Sequence, residues 1–152
     1  MLKEGYAAPD FTVKNQDGAD VKLSDFRASR VVLYFYPKDD TPGCTKQACS
    51  LRDGFAEFEE KGIKILGVSA DDETSHQKFI SKYELPFTLL ADTDHAVADA
   101  YGSYGEKNFA GKNYMGVLRK TFLIDESGKI KRVFDKVKVD EHADEVLRAF
   151  AE

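Results

Sequence analysis

The run Val31-Val32-Leu33-Tyr34-Phe35-Tyr36 is the strongest constraint on what this chain can fold into. It is apolar throughout, β-prone, and ended by Pro37. A strand with one wet face would alternate apolar and polar residues. A continuous run is the mark of a central strand covered on both sides. Ile63-Lys64-Ile65-Leu66-Gly67-Val68-Ser69 and Phe87-Thr88-Leu89-Leu90 read as two further strands. Between the strands lie segments with helical spacing. One is expected to start with Thr41 as N-cap and Pro42 at N1, and to run through Leu51, Phe55 and Phe58 to a stop at Lys61-Gly62. A second opens at Asp71-Asp72-Glu73-Thr74, with acids where the helix dipole favours them, and ends before Pro86. A third is capped by Thr93 or Asp94 and reaches Tyr101.

Around this β-α-β-α-β-α core the sequence places three other features. Phe11–Lys14 and Val21–Leu23 flank the turn residues Asn15-Gln16-Asp17-Gly18 and read as an N-terminal hairpin, followed by a short turn capped by Ser24. Gly102 to Gly116 is rich in Gly, Asn and Tyr and reads as a loop. Thr121–Asp125 and Ile130–Phe134 flank Glu126-Ser127-Gly128 as a late hairpin, and a helix from Asp140 to Phe150 closes the chain. Alternating strands and helices predict a mostly parallel sheet with helices on both faces and antiparallel strands at its edge. A β-α-β unit followed by a hairpin and a C-terminal helix is the connectivity of a thioredoxin-type α/β fold. With 152 residues and no repeat or linker, one domain over residues 1–152 is expected.

Composition narrows the function. Lys plus Arg total 22 against 27 Asp plus Glu, a net charge of -5 without a basic tract, which argues against nucleic acid and anionic membranes as partners. No apolar run approaches the ~18 residues of a membrane span, and Met1–Tyr6 has no apolar signal core. A cytoplasmic protein is expected, or a mature soluble form whose targeting segment has been removed. His76, His95 and His142 are dispersed, and two cysteines cannot supply a zinc site, so no metal is expected. No glycine-rich phosphate loop follows a strand, so no nucleotide cofactor is expected either.

Both cysteines, Cys44 and Cys49, lie in Pro37-Lys38-Asp39-Asp40-Thr41-Pro42-Gly43-Cys44-Thr45-Lys46-Gln47-Ala48-Cys49. This is the junction between the central strand and the first helix. With Thr41 as cap, Cys44 is the third helical residue, where free N–H groups and the helix dipole favour a thiolate, the reactive form of cysteine. The Thr41 hydroxyl can cap the helix and can also bond to something held at the sulfur. Five residues along a regular helix put the two Cα atoms roughly 8.5–9 Å apart, beyond the ~7 Å limit for a disulfide. If the two bond, the first turns of the helix have to unwind. A reactive thiol, a buried structural pair, a thioredoxin-like disulfide oxidoreductase and a redox-sensing module all remain open at this point, although an oxidoreductase would favour Cys-x-x-Cys.

The pattern Pro37-x-x-x-Thr41-x-x-Cys44 resembles the active-site signature of the peroxiredoxins. The string FYPKDDTPGCTKQACSLRD is similar to that of the bacterioferritin-comigratory-protein or PrxQ subfamily, as are GYAAPDF, ILGVSADD and GVLRKTFLID elsewhere. The resemblance implies a thioredoxin-like fold with a peroxiredoxin insertion, a mixed central sheet and an N-terminal hairpin. It implies a peroxidase acting on hydrogen peroxide and organic hydroperoxides. Cys44 would be the peroxidatic thiolate, Thr41 would bond the peroxide, Pro37 would shield the sulfenic acid and Arg119 would sit beside the sulfur. Cys49 would resolve the sulfenic acid to an intramolecular disulfide that thioredoxin or a similar dithiol reduces, in a monomer without cofactor. Gln47 stands where many peroxiredoxins carry Glu, which this subfamily tolerates. Arg52 reads as a helix-face residue near the site, and the Tyr101–Tyr114 stretch as either a substrate-pocket wall or a contact surface.

Overall fold

The computed structural model describes residues 2–152. Fifteen elements follow in chain order: β1 (Thr12–Asn15), β2 (Asp20–Lys22), a 3-10 turn (Leu23–Phe26), β3 (Arg30–Phe35), α1 (Pro42–Asp53), α2 (Phe55–Glu60), β4 (Ile63–Ser69), α3 (Glu73–Tyr83), β5 (Thr88–Ala91), α4 (Ala96–Ala100), β6 (Tyr104–Phe109), β7 (Lys112–Val117), β8 (Lys120–Ile124), β9 (Ile130–Phe134) and α5 (His142–Ala151). Seven strands form one sheet in the order β2-β1-β5-β4-β3-β8-β9. Only β3–β4 and β4–β5 pair in parallel. The remaining neighbours are antiparallel, because both hairpins extend this parallel centre, one from each side. The sheet is therefore mixed and less parallel than strand–helix alternation alone implies.

β3 runs through the middle and is buried on both faces, as its sequence demands. Val32, Tyr34 and Tyr36 point into one core with Cys44, Ala48 and Leu51 of α1, Phe58 of α2, Phe79 of α3 and Val146 of α5. Val31, Leu33 and Phe35 point into the other, with Val97 and Ala98 of α4, Tyr101 and Phe122. The period-2 alternation of a strand thus divides six apolar residues between two cores. Among the described residues, no helix is long and apolar enough to cross a membrane.

Four local readings change. The helix expected from Thr41 to Gly62 breaks at Gly54 into α1 and α2. A Cβ on Gly54 would lie 2.9 Å from the Ala143 Cβ, so the break is where α5 approaches the backbone closely. The expected loop from Gly102 to Gly116 is a β6–β7 hairpin turning at Ala110-Gly111, both with positive φ. Most of its residues on both faces are exposed, so it lacks the apolar alternation that marks a strand. Neither Thr93 nor Asp94 is the N-cap of α4. That place is taken by His95, and the first-turn N–H groups of Val97 and Ala98 donate to the buried carboxylate of Asp92. Ser24 lies inside the 3-10 turn, where Asp25 accepts from the Lys22 N–H instead.

Candidate active site

At the C-terminal end of β3 the chain turns through Pro37–Thr41 and enters α1 at Pro42. Thr41 occupies the N-cap position with extended backbone, and its carbonyl accepts the Thr45 N–H at 2.8 Å, the first bond of the helix. Pro42 brings no N–H to a turn whose donors have no intrahelical acceptor. Cys44 is the third residue of α1 and is 1% exposed. Its burial follows from the helix face: Gln47, Ala48 and Leu51, three to seven residues on, are buried with it.

Arg119 arrives from the other side of β3. β8 pairs antiparallel with β3, Lys120 opposite Phe35, which puts Arg119 at the level where β3 ends. Its Nη2 donates to Cys44 Sγ at 3.3 Å and its Nη1 to Gln47 Oε1 at 2.6 Å. The guanidinium fork is thus held between sulfur and amide, a fixed geometry that a lysine ammonium cannot reproduce. Gly43 makes room for it: a Cβ there would lie 3.2 Å from Nη2. Gly43 carries no signal in the sequence beyond being a glycine next to the cysteine in a helical first turn.

Thr41 differs from expectation in one respect. Its hydroxyl does not cap α1 but donates to the Lys38 carbonyl at 2.9 Å, which leaves its lone pairs free to accept. Pro37 is half-buried just past β3. Cys49 is half-buried further along α1, and both thiols are free while residues 42–53 are helical. Arg52 does not reach the sulfur; it donates to the Tyr83 carbonyl at 2.9 Å and pairs with Asp53.

A buried thiol at a helix N-terminus with a guanidinium on its sulfur is a site for nucleophilic attack by a thiolate. Residues 5–133 match the AhpC/TSA family. The chain belongs to that family. It is 50% identical to Peroxiredoxin Bcp of Escherichia coli (strain K12) over 146 residues, 96% of this chain and 94% of that protein. It is 46% identical to Peroxiredoxin Bcp of Bacillus subtilis (strain 168) over 147 residues, 97% and 94% respectively. The Xanthomonas campestris bacterioferritin comigratory protein, solved in a study of its alkyl peroxide reduction activity, superposes with a TM-score of 0.89 at 38% identity, covering 99% of this chain and 96% of that one. The chain is a peroxiredoxin of the Bcp/PrxQ kind, and its activity is that of a thiol-dependent peroxidase.

Two further groups shape the electrostatics of this peroxiredoxin site. Lys107 of β6 crosses over Gly116 and donates to the Val117 carbonyl at 3.0 Å. Burial lowers its pKa, the Arg119 charge lowers it further, and Cys44 acts in the opposite sense. Behind Arg119 lies buried His142, with Nδ1 2.6 Å from Glu145 Oε1 and Nε2 2.9 Å from Thr121 Oγ1. Burial lowers its pKa and the Arg119 cation adds to this, while Glu145 opposes both. A neutral imidazole donating to Glu145 and accepting from the Thr121 hydroxyl satisfies every contact. Arg119 therefore meets no competing cation on that side.

Proposed function

We propose that Cys44 is the peroxidatic cysteine and Cys49 the resolving one, in a cycle that reduces hydrogen peroxide and organic hydroperoxides. The observation that carries this reading is the Arg119 Nη2 to Cys44 Sγ contact of 3.3 Å at the first turn of α1. The Cys44 thiolate attacks the distal oxygen of ROOH. The O–O bond breaks, the sulfur takes up OH as a sulfenic acid, and RO⁻ leaves and gains a proton to become ROH. Arg119 stabilises the thiolate beforehand and the charge that moves toward the leaving oxygen during attack. The Thr41 hydroxyl, whose hydrogen is committed to Lys38, accepts the peroxide O–H and so orients the distal oxygen toward sulfur. Pro37 walls the sulfenic acid from water.

The Cys49 thiol then condenses with the sulfenic acid: an S–S bond forms, the S–O bond breaks and water leaves. The first turns of α1 unwind for this step, since the intact helix separates the thiols too far. A thioredoxin-like dithiol reduces the disulfide, returning both thiols and becoming a disulfide itself. We take residues 1–152 as one domain acting as a monomer in the cytoplasm, where such a reductant is at hand. The alkyl peroxide reduction activity of the Xanthomonas campestris relative supports the inclusion of organic hydroperoxides.

Rapid-quench oxidation by hydrogen peroxide, followed by intact mass, tests the reading. Fast loss of the Cys44 thiol, abolished in Cys44→Ser and slowed in Arg119→Ala, is the expected result. Oxidation at the rate of free cysteine, indifferent to both substitutions, refutes it.

A further inference from the structure

One buried polar cluster takes no part in the steps above. It lies where the Pro37–Thr41 loop meets α3. Asp39 is buried, and its Oδ1 accepts from Tyr36 Oη at 2.5 Å. Its Oδ2 accepts from Ser75 Oγ at 2.8 Å and lies 2.7 Å from His76 Nδ1. The Asp39 N–H donates to Asp71 Oδ2 at 2.8 Å, an oxygen that also accepts from Ser69 Oγ. His76 is fully buried, with Nε2 2.8 Å from the Leu90 carbonyl oxygen.

The hydrogen-bond roles fix the proton count. A carbonyl oxygen only accepts, so Nε2 of His76 carries a hydrogen. A bare Nδ1 would then set its lone pair against an oxygen of ionised Asp39 at 2.7 Å. A hydrogen must lie between them, and the pair holds one proton more than a neutral imidazole and a separate carboxylate.

The same loop is gripped again one residue on. Asp40 has a left-handed backbone, φ 56°. Such strain in a residue other than glycine persists where surrounding contacts enforce it. Here Lys82 Nζ and Tyr83 Oη, both on α3, each donate to the Asp40 carboxylate at 2.8 Å. At the far end of α1, Arg52 is tied to the last residue of α3 through the Tyr83 carbonyl. α3 thus holds the chain on both sides of the stretch that contains Cys44 and Cys49.

We propose that Asp39 and His76 are positioning residues for the peroxidase reaction: their buried, proton-sharing contact fixes the Pro37–Thr41 loop on α3 and so places Thr41 and the first turn of α1 around Cys44. The link is short. Thr41 donates to the carbonyl of Lys38, the residue joined to Asp39, so a shift of Asp39 moves the acceptor that orients the Thr41 hydroxyl. The groups facing His76 are Asp39 from the loop, Asp71 from the β4–α3 connection and the Tyr36 phenol from the end of β3. Burial alone would lower the His76 pKa; the hydrogen bond and charge of Asp39, the Leu90 carbonyl and the Asp71 charge outweigh it and raise the pKa. As pH rises through that raised value, the shared proton leaves and the loop loses its anchor. The inference rests on Cys44 being the reacting thiol.

Asp39→Asn keeps the shape and removes the charge, and an amide cannot accept from Tyr36, Ser75 and His76 together. The rate of Cys44 oxidation by hydrogen peroxide is measured by rapid quench across pH, with thermal melts to verify folding. Folded Asp39→Asn is expected to oxidise about 10- to 100-fold more slowly, the range for a displacement of about 1 Å in a reacting geometry. The unsubstituted protein is expected to lose rate on the alkaline side of its profile, and in Asp39→Asn that fall is expected to vanish. The double variant Asp39→Asn/His76→Asn is expected to be no slower than Asp39→Asn alone, because the two residues act as a unit. An unchanged rate and an unchanged profile in folded Asp39→Asn overturn the proposal. Should Asp39→Asn fail to fold, Asp40→Asn and Lys82→Ala probe the same anchoring from its exposed side: slower oxidation supports it, and unchanged rates in both overturn it. If the unsubstituted protein itself reacts no faster than free cysteine, the role of Cys44 fails instead, which keeps the two failures apart.

Discussion

Gly43→Ala separates the two chemical steps of this peroxiredoxin, because the added methyl acts on each through a different route. The new Cβ would lie 3.2 Å from Arg119 Nη2, so the guanidinium has to retreat by about 0.3 Å. At an effective dielectric of about 20, a thiolate and a guanidinium 3.3 Å apart attract by about 5 kcal/mol. Retreat to about 3.6 Å gives up about 0.4 kcal/mol of this, close to a twofold slowing of attack. The second route is the helix. Alanine is better than glycine inside a helix by roughly 0.5–1 kcal/mol. On the proposed cycle α1 has to unwind before Cys49 can reach Cys44, so the same substitution is expected to slow disulfide formation about two- to fivefold. Gly43→Ala is therefore expected to be the more stable protein and the slower enzyme, with sulfenic acid outlasting its normal lifetime. The chain has no tryptophan to report these steps by fluorescence, so quenched samples are alkylated and resolved by intact mass. Gly43→Val extends the series, with a larger side chain that displaces Arg119 from the sulfur altogether. Unchanged attack and resolution rates in both variants refute the close-approach reasoning and the unwinding step together.

Other outcomes follow from the same geometry. Arg119→Lys keeps a positive charge but loses the fork between Cys44 and Gln47. Loss of a charged hydrogen bond costs about 1.5–3 kcal/mol, so peroxide-driven oxidation, followed by rapid quench and intact mass, should slow by roughly 10- to 150-fold. Cys49→Ser should react with one equivalent of peroxide at an unchanged rate, gain one oxygen atom in mass, and form no intramolecular disulfide. Its far-ultraviolet circular dichroism should stay that of the reduced protein, whereas the unsubstituted protein is expected to lose helical signal on oxidation.

The two buried histidines give stability a maximum in pH. His142 has a lowered pKa, so the unfolded chain binds more protons than the folded one below the ordinary histidine value, and stability falls as pH drops through it. His76 has a raised pKa, so its contribution is complete below the ordinary value and is lost as pH rises through the folded one. Urea melts across pH should show both limbs, with His142→Gln flattening the acid side and His76→Gln the alkaline side.

Much of the site was legible because it is local. Pro37, Thr41, Pro42 and Cys44 lie within eight residues, and a thiol in the third position of a helix owes its setting to backbone geometry that the sequence specifies. Arg119 was found through the motif around it and not through any local signal, since its value depends on β8 lying beside β3. Gly43, Asp39 and Lys107 escaped because their roles depend on what approaches them: a guanidinium, a histidine from α3, a carbonyl across a hairpin. The Thr41 hydroxyl was misread for a related reason. Its hydrogen goes to the Lys38 carbonyl, and in the orientation that the turn of the loop imposes no first-turn N–H of α1 donates to its oxygen. The break at Gly54 falls where α5 approaches the backbone closely, a long-range contact added to the weak helix preference of glycine itself.

By itself, then, the sequence determined most of the elements and the setting of the thiol proposed to attack. Apolar periodicity and turn residues act over a few positions, and so does the setting of a thiol at a helix start. Tertiary structure alone decided how the guanidinium is held against the sulfur, how the loop in front of it is held, and where α1 ends. These are contacts between residues 32 to 93 positions apart, as in Asp39–Asp71 and Ser50–Ala143. Their energies exist only once the sheet has brought its strands into register.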